Sequence, residues 1–461
     1  MKRLLFKGGI VVCVLLLIGF AFVLIAGGKK DGEKPGKEKA VELTLWCMAF
    51  DPHVDGFNLV IDKFSKDHPN IKVILEPQPG QAEMTSKIRS SLSAGKGPHA
   101  FTTTGTTIME WAIPGNILPV TPDIMSVAEA KRDLLPENIL QCQLDGQVWA
   151  IGIPDSPGDL GLAVNVDHLK EAGLPMVGKF DDMDHMLKYA KAMSLMEGGK
   201  LSRSGLSFQE PNDPMFFYSF IVDQGGQFWD NDTQKFTLQT PEAKKALQFV
   251  HDIFFKYNLD STELPDTMTA MGQNLCSMGF IWSEFVYFAG LIYPDLNFEF
   301  IMKPSFSGKK PAVFNHTDTW NVVIPAYVSG AEKDGLVEFL KFLISEEGQL
   351  TFLEDGYIGL SPVKSVTLEN DFFRTGPAKS MAPVIEAMKK GSLMYYGPFI
   401  SADIMLYDIM WPIINDVIHD QISVNDALAK MEKDLNEANA RSLEKYPDSP
   451  KTIIDWDGLD L

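Results

Sequence analysis

The sequence predicts an α/β fold in two lobes, and three observations carry that prediction. The chain has 461 residues, more than a single hydrophobic core usually organises, so two units of structure are the default. From Val41 onward, apolar runs with β-branched members alternate with segments of helical period, the pattern of strands joined by helical crossovers in a largely parallel sheet. Two clusters of Pro, Gly and Asp, Pro154 to Asp159 and Asp355 to Pro362, punctuate the chain like crossings between lobes. The first cluster alone fits a hairpin inside one domain as well as it fits a hinge between two.

The N-terminus reads as a targeting segment. Lys2, Arg3 and Lys7 precede an uncharged run from Gly8 to Gly28, and the small residues Ala26-Gly27-Gly28 offer a cleavage site, so residues 1–28 are expected to be a secretory signal. The run also approaches the roughly 20 apolar residues that span a bilayer, which makes an uncleaved anchor with its N-terminus inside the alternative. Both readings export everything that follows. Residues 29–41 contain KKDGEKPGKEK, a charged linker.

In the first lobe, Val41–Trp46 alternates like a strand, Gly56–His68 has helical period, and Ile71–Leu75 is a strand. Gln81–Ala94 is a helix stopped by Gly95, and His99–Thr103 is a short strand. Val148–Ile153 and Gly161–Val166 are strands on either side of the first crossing, and Asp167 can cap a helix ending at Gly173. The second lobe continues with helices at Asp182–Leu195 and Pro214–Gln224, a polar hairpin around Trp229 and Asn231-Asp232, and a helix opened by Thr240-Pro241. A short helix Thr267–Gln273 and a strand Ser277–Trp282 follow. Asp318–Pro325 is a strand, Ala331–Ser345 an amphipathic helix, and the remainder to about Ala438 is expected to be helical before an acidic tail.

Composition bounds the function. The chain is 45% hydrophobic and 22% charged with a net charge of -20, an ordinary globular composition whose negative field repels nucleic acid. Without Lys2, Arg3 and Lys7 the exported part carries about -23, and no basic patch offsets it. Cys47, Cys142 and Cys276 are widely spaced and form no zinc pattern, so buried, inert thiols are expected rather than a disulfide framework. No phosphate-cradling loop, GxSxG or HExxH occurs, and no cofactor is implied. The acids Asp181, Asp182 and Asp184 read as a helix start.

The order of segments resembles the extracellular solute-binding proteins of ABC importers, the carbohydrate-binding family that includes maltose-binding protein. The resemblance rests on LTLWCMAFD (Leu43–Asp51), KFSKDHPNIKV (Lys63–Val73), GNILPVT (Gly115–Thr121) and VWAIGIPDSPGDLGLAVNVDHLKEAGL (Val148–Leu174). It continues through FIVDQGGQFWDN (Phe220–Asn231), AMGQNLCSMGFIW (Ala270–Trp282), FLKFLISEEGQLTF (Phe339–Phe352) and ISVNDALAKMEKDLN (Ile422–Asn436). It implies a two-lobed periplasmic-binding-protein-like fold with an interlobe hinge and a ligand cleft, the first lobe being 42–153 plus 318–360 and the second 156–315 plus 365–461. It further implies a monomer that captures a carbohydrate solute outside the cytoplasmic membrane, touches the membrane only through its N-terminal segment, and delivers the sugar to permease subunits. Two features depart from the family: no lipidated cysteine follows the signal, and FNHTDTW (Phe314–Trp320) replaces a glycine-rich approach.

Sugar rings pack C–H faces on aromatic planes while their hydroxyls need fixed polar partners. Ligands of α/β sheets lie beyond the carboxyl ends of strands. The candidates are therefore Trp46, Asp51, Thr104, Trp111, Asp155, Phe216, Trp282, Glu284, Trp320, Tyr407 and Trp411. By the resemblance, Trp282 falls on the family's stacking tryptophan and Tyr407, 17 residues before Val424, on another stacking position, with Trp411 one helical turn further. A tethered sugar sensor and a secreted glycosidase are the rival assignments; the second needs a facing pair of acids that the sequence does not offer.

Overall fold

The computed structural model describes residues 40–445 apart from 141, 156–159, 211–212, 231, 307–312, 317–318, 357–358, 377, 383–384, 387–388, 390–391 and 395–403. The expected export segment, nearly all of the linker and the acidic tail lie outside the described residues, as do Ser156–Asp159 of the first crossing, Tyr357 and Ile358 of the second, and Asn231 of the hairpin. Among the described residues no helix is long and apolar enough to cross a membrane.

Val41–Met48 pairs in parallel with Ile71–Gln78 on one side and Ala100–Thr104 on the other. The crossovers are the helices Asp51–Asp67 and Gln81–Ala94. Trp320–Pro325 then inserts antiparallel beside Ala100–Thr104 and also pairs with Ile117–Leu118 and Ile151–Gly152. Strand alternation sends Leu43, Leu45 and Cys47 into the core, as a period of two requires. The Asp51–Asp67 helix lays Phe57 edge-on against Phe352 at 5.2 Å and Phe64 against Phe339 at 5.3 Å. Its approach to the Glu346–Gly356 helix depends on Gly56, where a β-carbon would sit 2.5 Å from the Phe352 ring.

The second sheet has three strands in the order Met278–Trp282, Leu160–Asn165, Phe298–Met302. Both pairings are antiparallel, so this lobe is α/β in content without the parallel crossovers of the first. Leu162, Val164, Met278, Phe280 and Ile301 point into one hydrophobic core, shared with the helices Met183–Met193, Asp213–Asp223 and Pro241–Phe255. Ala163, Ile281 and Phe300 point the other way, into the core that continues into the first lobe. Gly161 is bare because a β-carbon there would lie 2.1 Å from the Phe300 ring.

Three local expectations are corrected. Asn165, not Asp167, caps the Val166–Glu171 helix: its carboxamide oxygen accepts from the Asp167 and His168 amides at 3.0 Å each, and Asp167 lies inside the helix. The run Val148–Ile153 is no continuous strand, because Gln147–Val148 and Ile151–Gly152 pair with different partners. The C-terminal third is not all helix: Ser392–Met394 pairs in parallel with Val313–His316, Ile404–Met410 is a π-helical turn, and the last helix runs Val424–Lys445.

Cys47, Cys142 and Cys276 are buried thiols, and burial pushes the Cys47 thiol up to about 12, which keeps it protonated and inert as expected. The second core also holds an ion pair sealed from solvent. Lys303 Nζ lies 2.7 Å from Asp223 and 5.4 Å from the centre of the Phe220 ring, and the Phe306 amide donates to the same carboxylate at 3.2 Å. Burial lowers the lysine's affinity for its proton, and Asp223 opposes that shift. Asp223→Ala would strand the ammonium and is expected to cost about 3–5 kcal/mol, whereas the paired change Asp223→Leu with Lys303→Met should cost far less. Denaturant midpoints of the two variants test this.

Candidate functional site

The parallel strands of the first sheet end where Trp320–Pro325 begins, with Thr104 directly opposite Trp320. The Trp320 amide donates to the Asp155 carbonyl at 3.2 Å and the Ile153 amide to the Trp320 carbonyl at 3.0 Å, which ties the start of the crossing to this strand. Beyond Val41–Met48 the chain turns through Phe50 into the Asp51–Asp67 helix, whose first turn contains Pro52. That turn delivers His53, which is fully buried, to Asp155: Nε2 lies 2.6 Å from the carboxylate. The imidazole also meets Phe50 and Trp320 edge-on, with ring centres at 5.2 and 5.1 Å.

The second sheet faces this corner. Trp282 ends its strand, and Ser283 and Glu284 lead into the helix Phe285–Ile292. Phe288 of that helix touches Phe50 with ring centres 5.7 Å apart. Tyr287 lies near Asp51 and Asp55: burial raises its phenol pKa first, and the two negative charges add to the rise. The Phe50–Phe288 contact thus links the end of the first sheet to the helix that follows the second.

The candidates fall into three groups. Asp51, Thr104, Asp155 and Trp320 gather at the end of the first sheet, and Trp282 and Glu284 at the end of the second; both tryptophans are half-buried against the first core. Trp46 is half-buried on the sheet face, its indole N–H donating at 2.7 Å to Glu76 on the neighbouring strand, while Tyr407 is exposed and Trp411 packs on the second core. Trp111 and Phe216 are core residues: Trp111 stands edge-on to Phe101 at 5.1 Å, and Phe216 is sealed against Phe280 at 5.3 Å. The Gly105–Ala112 helix turns Trp111 inward, while the Asp213–Asp223 helix that carries Phe216 is buried on nearly every face. His53 and Phe50 were missed, because a lone histidine and a phenylalanine carry no spacing signal.

The model for the family of bacterial extracellular solute-binding proteins matches residues 51–350. The chain belongs to that family. A search of curated proteins finds this solute-binding protein 24% identical over 236 residues to an arabinooligosaccharide-binding protein of Halalkalibacterium halodurans, covering 48% of each chain, so it spans about half the length of that relative. Among solved structures it is similar to an ABC substrate-binding protein from Listeria monocytogenes in complex with cycloalternan, at a TM-score of 0.70 and 17% identity, covering 87% of this chain and 99% of the other. It is likewise similar to the maltose/maltodextrin-binding domain from Bdellovibrio bacteriovorus bound to maltotriose, at a TM-score of 0.68 and 20% identity, covering 86% and 99%. These neighbours share the two-lobed fold.

The solute-binding protein also holds a cluster of buried acids in its second lobe. Glu210 Oε1 accepts from the Met268 amide at 2.7 Å, the Glu210 amide donates to Asp213 at 2.6 Å, and the other Asp213 oxygen is buried without a hydrogen-bond partner. Asp260 accepts from the Phe208 amide at 3.0 Å and from the Ser204 hydroxyl. Burial pushes Glu210 up to about 7 and Asp260 to about 6, and it pushes Asp213 well above the carboxylate range. Glu210 therefore keeps its proton in the native state above its unfolded value of 4.5. Its contribution to stability is full below that pH and is lost as pH rises to about 7. Urea midpoints of wild type and Glu210→Gln should diverge from about pH 4 to about pH 8, the variant gaining about 3 kcal/mol relative to wild type. Parallel profiles would remove the role given to Glu210.

Proposed function

We propose that the chain captures an oligosaccharide outside the cytoplasmic membrane and hands it to the permease of an ABC importer. The observation that carries this reading is that two half-buried tryptophans at strand ends of different sheets, Trp320 and Trp282, lie close in sequence or register to the carboxylates Asp51, Asp155 and Glu284 and the hydroxyl of Thr104, with the Phe50–Phe288 contact joining the two sides. Aromatic planes suit the C–H faces of sugar rings, and fixed carboxylates suit their hydroxyls. Relatives and structural neighbours whose ligands are arabinooligosaccharide, cycloalternan and maltotriose support the same class. The family supports binding rather than catalysis, and the basic and apolar segment 1–28 supports export, whether cleaved near Gly28 or kept as an anchor.

Ligand held between two sheets must favour the state in which they approach. The lobes would hinge at the crossings near Pro154–Asp159 and Gly356–Pro362. Small-angle scattering with and without a bound oligosaccharide is expected to give a smaller radius of gyration for the complex, and an unchanged radius would argue against closure.

Trp282→Ala is expected to weaken binding roughly thirtyfold, the loss of a well-packed aromatic anchor, as read by calorimetry. Its denaturant midpoint should fall by much less than the about 3–5 kcal/mol that truncating a core tryptophan costs. Unchanged affinity with a severe stability loss would return Trp282 to the core.

A further inference from the structure

His53 carries an unexplained atom. Its Nε2 is committed to the Asp155 carboxylate at 2.6 Å, yet its Nδ1 is buried with no hydrogen-bond partner. A carboxylate only accepts, so the proton of this contact sits on Nε2, and in the neutral ring Nδ1 is left as a bare acceptor. Native structures rarely leave such an atom unmatched without a use for it. The position suggests the use. His53 stands between Phe50, which touches Phe288 of the helix after the other sheet, and Trp320, a proposed stacking surface. A sugar hydroxyl reaches the imidazole only if this enclosure opens, and the Phe50–Phe288 contact is its link to the second lobe.

We propose that Nδ1 of His53 is the acceptor for one hydroxyl of the captured carbohydrate, with Asp155 fixing the ring tautomer that leaves this atom bare. The proposal rests on the carbohydrate reading and deepens it. A hydroxyl both donates and accepts, so it can satisfy Nδ1 whether the ring is neutral or protonated. An ammonium could satisfy only the neutral ring and a carboxylate only the protonated one. Besides the direct contact proposed for it above, Asp155 thus acts as a positioning residue through His53, and specificity at one sugar position is assigned to a histidine that no motif marks.

The test uses the full chain with maltotriose and an arabinooligosaccharide as probes, followed by monodeoxy analogues of whichever binds. His53→Gln keeps an amide at the Nε2 position to meet Asp155 but puts nothing at Nδ1, and His53→Asn does the reverse. The Gln variant is expected to bind the parent sugar about tenfold more weakly. For one deoxy analogue that penalty should vanish, the coupling expected of a direct pair, and the Asn variant should recover part of the loss. Equal penalties across all analogues, or unchanged affinity with only a lowered unfolding midpoint, would overturn the proposal and leave a resident water or a structural role. Failure of wild type to bind any sugar would instead remove the carbohydrate reading beneath it. Should both variants misfold, nitrogen-15 spectra of the wild-type imidazoles decide, because a bare Nδ1 that gains a hydroxyl changes its resonance on addition of sugar, and no responding histidine refutes the contact.

Discussion

The strand Trp320–Pro325 is the constraint on which the molecule depends. It is made late in the chain, after the second sheet, and it lies between Ala100–Thr104 and Ile151–Gly152 of the first sheet. The first sheet is therefore incomplete until the chain has passed through the second sheet and returned, and the long-range pairing carries the loop-closure cost of everything between. Its first residue pins the crossing through the Asp155 carbonyl, and its ring meets His53. Register thus reaches the candidate site directly: a shift of one residue would turn Trp320 to the opposite face and leave Asp155 without its backbone donor.

The interior handles charge in two ways, and the difference follows from which partners are at hand. Lys303 and Asp223 are both sealed and compensate each other, with the Phe306 amide filling a further lone pair. Glu210, Asp213 and Asp260 lean instead on backbone amides and hydroxyls, and burial raises the pKa of each. A chain of net charge -20 can bury such acids only as neutral groups or beside a cation. The two arrangements have opposite vulnerabilities: the ion pair fails when one member is removed, the acids when pH rises.

Local chemistry made much of the fold readable from sequence. The helices Met183–Met193 and Pro241–Phe255 begin at Asp182 and Thr240, whose side chains accept from His185 and Ala243 as cap residues should. The parallel first sheet followed from strand and helix alternation. The antiparallel second sheet did not, because direction is set by which strands become neighbours in space, and the neighbours of Leu160–Asn165 lie more than a hundred residues on. Asn165 was passed over as a cap for Asp167 because either residue type fits, and only the geometry of the preceding strand end decides.

The same reasoning explains which aromatic residues the sequence could place. Trp282 and Trp320 stand at strand ends, where the sheet covers one flank of the side chain, and both remain half-buried. Trp111 sits in a helix after a strand end and looked equivalent in one dimension, but the Gly105–Ala112 helix packs one face on the sheet and carries the indole onto Phe101. His53 is the mirror case. Nothing in DPHVDGF marks a functional histidine, yet the first turn of the Asp51–Asp67 helix sets it beside a residue about a hundred positions away, and the pairing with Asp155 gives it one engaged nitrogen and one idle. A periodic pattern finds faces; a binding atom is found only when distant segments meet.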